Sequence, residues 1–161
     1  MTDSPRGFLQ GPADGHRISL TGWEMLRKVA ATDTAGALTV VEGHLAAGHP
    51  GPAPHVHDLH DECFVILEGR MRFRIGAGFR TAAPGDLVFA GRNLPHGFSN
   101  PFDEPNRYLV LLSPSGYEDY FEEIAAHLRG TGASPAPDRL EEMMAGYSTR
   151  LAEPLADDGL D

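Results

Sequence analysis

Residues 48–69, GHPGPAPHVHDLHDECFVILEG, contain the most informative pattern in the sequence. Residues i and i+2 of a β-strand project from the same side, so a strand through His55-Val56-His57 would direct two imidazole rings at one metal ion. A turn then resets the register, so that Glu62 can return to the same side at the start of the next strand. That strand, residues 63–68 (CFVILE), has the apolar composition of a buried strand. This stretch therefore predicts β-structure in which two histidines and a glutamate can meet.

Short strands separated by turns are predicted along most of the chain. Glycine (19 residues) and proline (13 residues) together make up about 20% of the chain. The ordinary combined share of these two residue types is about 12%. Strands with turn signals every 8–12 residues are typical of an antiparallel barrel or jelly roll. The first strand signal is weak, and a helix is an alternative there. The predicted strands are residues 23–30, 37–47, 63–68, 71–75, 79–82, 87–90, 96–99 and 108–113.

The period of the apolar residues changes after residue 113. Residues 115–129 (SGYEDYFEEIAAHLR) carry apolar side chains at helical spacing, and Ser115 is a candidate N-cap. A second, weaker helix is predicted over residues 137–151. We therefore expect an all-β barrel followed by two C-terminal helices. The expected organisation is a flexible N-terminal tail at 1–16, a barrel at 17–115, helices at 116–152 and an acidic tail at 153–161.

Net charge makes some partners unlikely, and cysteine content indicates the compartment. The chain has 161 residues, about one domain, and a net charge of −10. Binding to nucleic acid or to an anionic membrane needs clustered lysine and arginine, so neither partner is expected. The single cysteine, Cys63, fits a reducing compartment. Because no apolar run has the length of a signal peptide or membrane span, we expect a cytoplasmic protein.

A second pattern lies at residues 85–100 (GDLVFAGRNLPHGFSN). Together with residues 48–69, it resembles the two signatures of the cupin superfamily. The first signature is a glycine, H-x-H, a glutamate and a glycine, and the second is a glycine, P-x-G, a histidine and an asparagine. The matching residues are His55, His57, Glu62, Gly69, Gly85, His96 and Asn100.

The resemblance has three departures. Gly48 stands one residue too early for the first glycine, and Gly91 and Asn93 replace the proline and glycine of P-x-G. Glycine and asparagine are common substitutes in turns, so the match is little weakened. With flanking strands, the resemblance covers about residues 20–115.

The resemblance implies a jelly-roll barrel that holds one divalent metal ion. The implied ligands are His55, His57, Glu62 and His96. Nitrogen and carboxylate ligands suit Fe, Mn, Co, Ni or Zn, and no thiolate selects among them. His60, in the turn before Glu62, is left open as a fifth ligand, a residue behind the ligands or an exposed residue.

Four apolar residues are candidates for substrate binding. Phe64 and Ile66 share the parity of Glu62, Phe98 shares that of His96, and Phe73 alternates with two arginines. They would form an apolar wall around the metal. Each one alone is equally compatible with ordinary barrel core.

Resemblance also suggests an activity. Residues 113–121 (SPSGYEDYF) resemble the segment after the barrel in small quercetinase-like cupins. These are dioxygenases of flavonols or similar enols, which implies a small-molecule substrate and Glu62 as proton acceptor. Similar small cupins are polyketide cyclases or isomerases that use no O₂, and a non-catalytic binding protein is a further alternative. The resemblance also implies a homodimer, in which residues 17–31 could be the exchanged strand.

Overall fold

Two antiparallel β-sheets pack face to face in the computed structural model, which describes residues 7–156. The larger sheet has six strands, which in spatial order are β1 (His16–Leu20), β2 (Trp23–Val29), β3 (Thr39–Leu45), β10 (Asn106–Ser113), β5 (Asp61–Glu68) and β8 (Leu87–Ala90). The smaller sheet has five, which are β11 (Thr149–Leu151), β4 (His55–His57), β9 (His96–Ser99), β6 (Met71–Ile75) and β7 (Gly78–Ala82). The mainly β architecture is as predicted. A closed barrel is not formed by these residues, whose strands make two separate sheets.

Alternation along β5 explains how the sheets enclose a core. Glu62, Phe64 and Ile66 are buried, and the residues between them are only partly buried. The inward residues meet those of the opposite sheet, where Phe73 lies 5.2 Å from Phe64 between ring centroids. Strand β5 thus directs the Glu62 carboxylate and the Phe64 ring into the same interior.

The arginines of β6 are also buried, although alternation would place them outside. Arg74 Nη1 donates a hydrogen bond to the Glu153 carbonyl at 2.6 Å, and its Nε donates to the Gly76 carbonyl at 3.1 Å. The segment after β11 therefore covers this side of the smaller sheet. It satisfies the guanidinium with backbone oxygens, as burial of a charged group requires.

Two helices follow the β-sheets, and both differ from the prediction. Helix α1 (Glu118–Thr131) does not begin at Ser115; its N-cap is Tyr117, and Glu118 accepts a hydrogen bond from the Gly116 amide at 2.6 Å. Helix α2 (Pro137–Gly146) ends five residues earlier than predicted. Ser148 adopts a positive φ of 51°, which turns the chain into β11. The ladder between β11 and β4 then holds residues that were predicted as helix.

The helices pack at the ends of the two sheets, α1 against β1 and α2 against β11. Within residues 7–156, neither helix has the length and apolar character needed to cross a membrane. The tails expected at 1–16 and 153–161 are described only as far as residues 7 and 156, so residues 1–6 and 157–161 lie outside the description.

Candidate metal centre

Four side chains predicted as metal ligands meet between the two sheets. His55 and His57 lie on β4 and His96 lies opposite His55 on β9, so the three imidazoles come from the smaller sheet. Glu62 reaches them from β5 of the larger sheet. One ligand atom from each residue lies within 4.8 Å of all the others. All four residues are between 1% and 4% exposed, so the site is enclosed by protein.

Hydrogen bonds behind the imidazoles fix which nitrogen faces the centre. Nδ1 of His55 donates to the Ala53 carbonyl at 2.8 Å, and Nδ1 of His96 donates to the Leu94 carbonyl at 2.9 Å. Nδ1 of His57 donates to the Thr149 hydroxyl at 2.8 Å. Because each neutral ring carries its hydrogen on Nδ1, the lone pair is on Nε2, which is the arrangement of metal-binding histidines.

The carboxylate of Glu62 lies between two of these rings. Its Oε1 is 3.3 Å from Nε2 of His57, and its Oε2 is 3.3 Å from Nε2 of His96. Burial alone would raise the pKa of this carboxyl, but the imidazoles of His57 and His96 hold it well below its ordinary value. Glu62 is therefore ionised at neutral pH, as a metal ligand must be.

Electrostatics also keep His55 in the form that binds metal. Burial, with the neighbouring imidazoles of His96 and His57, lowers its pKa to about 3. Burial acts in the same direction on His96, but the hydrogen bond and the charge of Glu62 raise its pKa overall. Metal binding at this centre therefore competes with protonation of His96.

The donor set fits a divalent transition metal. Ligand atoms about 2.0–2.2 Å from one ion lie at most about 4.4 Å apart, so the observed spacing needs only a small contraction. Nε2 of His57 is buried and has no well-directed hydrogen bond within the described residues. Buried polar atoms normally have a partner, and a bound metal ion would provide one. Three imidazoles and one carboxylate suit Fe, Mn, Co, Ni or Zn, as the sequence predicts.

His60 is buried behind the ligands. Its ring stacks on that of His57 with 3.8 Å between centroids and lies 4.6 Å from the ring of Tyr117. Nε2 of His60 is 4.0 Å from Oε1 of Glu62. Of the roles left open by the sequence, the exposed one is excluded, since this residue is only 5% exposed.

A cavity of about 220 Å³ opens from the metal centre toward the helices. His55 and Glu62 form part of its wall. Of the predicted substrate-binding residues, Phe64 and Phe98 also line it, whereas Ile66 and Phe73 are buried in the core outside its wall. Two candidate metal ligands are thus exposed to the interior of a mainly apolar cavity.

Sequence reasoning missed most of the cavity wall. The aromatic residues that it did not assign to the site come from β2, β10 and the start of α1, and they are Trp23, Tyr108, Tyr117, Tyr120 and Phe121. Their ring contacts are close, as in the perpendicular packing of Trp23 on Phe98 at 5.4 Å. The helical spacing of Tyr117, Tyr120 and Phe121 was a signal for one apolar face, but nothing local indicated what that face covers.

Two asparagines of the second pattern have structural roles. Asn93 adopts a positive φ of 65°, and its amide donates to the His57 carbonyl at 2.7 Å. Asparagine can therefore replace glycine at this turn. Asn100 is fully buried, and its Nδ2 donates to the Ala46 carbonyl at 2.9 Å and to the Glu104 carbonyl at 2.8 Å. Both residues hold the loops around the centre, and neither is a ligand.

Comparison with known proteins agrees with this geometry. The family model described as "Cupin domain" matches residues 41–112, which contain all four candidate ligands. Residues 41–112 are a cupin domain. A search of the curated proteins found no significant match to this chain.

Several solved structures are similar to this chain. KdgF from Halomonas sp. has a TM-score of 0.62 at 17% identity, over 71% of this chain and 99% of that one. The polyketide cyclase RemF from Streptomyces resistomycificus has a TM-score of 0.60 at 19% identity, over 68% and 81%. A sugar phosphate isomerase of the cupin superfamily from Silicibacter pomeroyi has a TM-score of 0.51 at 26% identity, over 59% and 61%. The first two similarities, at below a fifth identity, establish a shared fold.

Proposed function

We propose that this cupin is a metal-dependent enzyme that acts on a small aromatic or enolic molecule. The observation that carries the proposal is that His55 and Glu62 both line a cavity with aromatic walls. A ligand in this cavity would lie within reach of the metal and of the Glu62 carboxylate at once. Few polar groups facing an apolar chamber are typical of small-molecule sites.

The chemistry of the cavity wall narrows the substrate class. Among the residues that the structure describes, the wall contains neither lysine nor arginine. A phosphate or a sugar acid would find no cationic side chain there, so only the metal ion could balance its charge, and any further negative charge would be buried unpaired at a cost. A planar ring system can instead stack against Phe64, Phe98 or Trp23. A hydroxyl on that ring would be the group directed at the metal centre.

Glu62 is the candidate general base. Its carboxylate is ionised, faces the cavity and is oriented by His57 and His96, so it can accept a proton from a substrate hydroxyl. A bound metal would supply Lewis acidity that makes such a hydroxyl easier to ionise. The apolar wall keeps water away from the deprotonated substrate.

We propose a quercetinase-like dioxygenase as the specific activity. The aromatic cavity and the carboxylate base support it, because a flavonol is a planar ring system with an acidic enolic hydroxyl. A cyclase or isomerase would share the proton transfer and differ in not consuming O₂. The two activities are therefore separated by oxygen uptake.

The test uses the purified protein loaded in turn with Fe, Mn, Co, Ni and Zn. Each form is mixed with flavonols and phenolic enols, and substrate absorbance and dissolved oxygen are followed together. Equal loss of substrate and O₂ is expected. Product formation without O₂ uptake would replace the dioxygenase by a cyclase or isomerase, and binding without turnover by any metal form would contradict an enzyme. His96→Ala is the control that lacks one imidazole ligand.

A further inference from the structure

The cavity beside the metal centre extends along one face of helix α1. That face begins next to the centre, since the ring of Tyr117 lies 4.5 Å from the ring of His57. At a rise of about 1.5 Å per residue, it continues for about 16 Å to Leu128. The side chains of α1 that line the cavity share this face, and they are Tyr117, Tyr120, Phe121, Ile124 and Leu128. The cavity is therefore longer than a single ring bound at the metal centre requires.

Helix α2 borders the same part of the cavity. The rings of Tyr120 and Tyr147 lie 5.7 Å apart, so the end of α2 lies beside the start of α1 and the two helices run antiparallel. Leu140 and Met144 of α2 line the cavity, and their spacing of four residues places them on one side of the helix. We call the space between the two helices the helix pocket, and its four wall residues are Ile124, Leu128, Leu140 and Met144.

The helix pocket differs in chemistry from the part of the cavity next to the metal centre. There the wall is aromatic, with Phe64 and Phe98, whereas the helix pocket is aliphatic. Its four residues are not members of the apolar cluster that forms the core of residues 7–156. Leu128 and Leu140 are only half-buried. The pocket therefore offers apolar surface that a ligand would remove from water.

Two contacts between the helices hold the pocket in place. One is the packing of Tyr120 on Tyr147, and the other is an ion pair in which Nη2 of Arg139 lies 3.2 Å from Oε1 of Glu123. The first contact lies at one end of the hairpin, and the second joins the outer sides of α2 and α1. A ligand that enters the helix pocket thus meets a preformed space, which lowers the cost of binding.

We propose that the helix pocket binds an apolar extension of the substrate and that Met144 determines which extensions fit. The inference rests on the proposed function, because it places an enolic or phenolic head at the metal centre. The ligand class is then a planar enol or phenol that carries an aryl or alkyl group away from the reacting hydroxyl. A head without an extension leaves the aliphatic wall in contact with water and binds more weakly.

Met144 is suited to set the size of the helix pocket. It is 3% exposed, so neighbouring side chains enclose it, and its unbranched thioether chain can fill an irregular space. The next residue, Met143, is 2% exposed and does not line the cavity. The two methionines are therefore a matched pair, equal in residue type and burial, of which one lies on the cavity wall.

Binding of two ligands to the Zn-loaded protein tests the proposal. They are 3-hydroxychromone, which is an enolic head alone, and flavonol, which is the same head with a phenyl extension. Zn has no redox chemistry, so binding is measured without oxidation of the ligand. Trp23 is the single tryptophan and lines the cavity, so its fluorescence reports occupancy. The wild type is expected to bind flavonol about 10–100-fold more tightly, the range for burying a phenyl-sized side chain.

Met144→Ala should reduce this preference for flavonol at least ~4-fold, the effect of one buried methylene group, because the phenyl extension loses its packing partner. The affinity for 3-hydroxychromone should not change. Met143→Ala should keep the wild-type preference. Circular dichroism checks that each variant is folded, and if Met144→Ala is not, Leu140→Ala is expected to show the same loss of preference.

Three results would contradict the inference, and they separate it from the proposed function. Equal affinity of the wild type for the two ligands would overturn the role of the helix pocket and leave the proposed function standing, since the head still binds. An equal loss of preference in Met143→Ala and Met144→Ala would overturn the role of Met144, because it would show a general loosening of α2. Failure of both ligands to bind would contradict the proposed function as well.

Discussion

The ring of His57 donates its Nδ1 hydrogen to the hydroxyl of Thr149, 2.8 Å away and 92 residues later in the chain. The Thr149 hydroxyl gives its own hydrogen to the Tyr147 carbonyl at 3.1 Å, so its oxygen is free to accept. Since β11 pairs with β4 in register, Thr149 lies directly opposite His57. The C-terminal strand is therefore part of the candidate metal centre, because it sets the tautomer of one ligand.

Loss of this hydrogen bond should weaken metal binding. Thr149→Val keeps the shape of the buried side chain and removes the acceptor for His57 Nδ1. Loss of a hydrogen-bond partner of a metal-binding histidine usually lowers metal affinity by about 10–100-fold, so the dissociation constant of the metal should rise by that factor. Thr149→Ser keeps the hydroxyl and should bind as the wild type does. Titration with Co or Ni measures both variants, and equal affinity in Thr149→Val would show that the tautomer is set otherwise.

Removal of one imidazole should empty the site. His57→Ala takes away a ligand atom, and bound metal after gel filtration should fall to a small fraction of the wild-type content. The matched control is His44→Ala, since His44 lies on β3 and bonds Glu42 at 3.0 Å, away from the centre. Atomic absorption measures both proteins. Full metal content in His57→Ala would mean that the four ligands are wrongly assigned.

The meeting of the four candidate ligands was predictable because much of their signal is local. Alternation in a strand places the two imidazoles of H-x-H on one side, a turn lets Glu62 return to them from the next strand, and the resemblance supplied the full set with His96. The strand-rich architecture followed from turn residues at regular spacing. Both rest on short-range patterns, which a sequence carries directly.

What failed depends on contacts distant in sequence. Residues 149–151 were predicted to be helical, but they form a strand because they pair with β4. Nothing in the local sequence indicates this pairing. The burial of Arg74 depends on Glu153, 79 residues away. Ser115 was a reasonable N-cap by residue type, but the helix begins later, where Tyr117 packs on the His57 ring at 4.5 Å. Tertiary packing overrode local preference in all three places.

Gly43 should be intolerant of a side chain because of Tyr108. The two residues lie opposite one another on β3 and β10, and a Cβ at position 43 would overlap the phenol ring. Gly43→Ala should lower the free energy of unfolding by about 1–3 kcal/mol and displace Tyr108 from the cavity wall. Gly130→Ala is the control, since position 130 is in α1 with open space around it, and should stabilise by up to ~1 kcal/mol. Urea unfolding compares them, and an unchanged midpoint for Gly43→Ala would contradict the packing.

Glu62 should be needed for turnover beyond its role in holding metal. Glu62→Gln keeps the size and one oxygen donor but loses the charge and the basicity of the carboxylate. Metal affinity should fall, and excess metal should refill the site. If Glu62 is also the proton acceptor, turnover at saturating metal should stay lower by ~10²–10⁴, the usual contribution of a general base. Single-turnover rates on the best substrate of the flavonol and enol panel, with metal content measured in the same samples, separate the two roles.

Thr149→Val at saturating metal is the control for the Glu62→Gln experiment. It removes the hydrogen-bond partner of a ligand and leaves the Glu62 carboxylate in place, so it should recover most activity. Full recovery by Glu62→Gln as well would leave Glu62 as a ligand only.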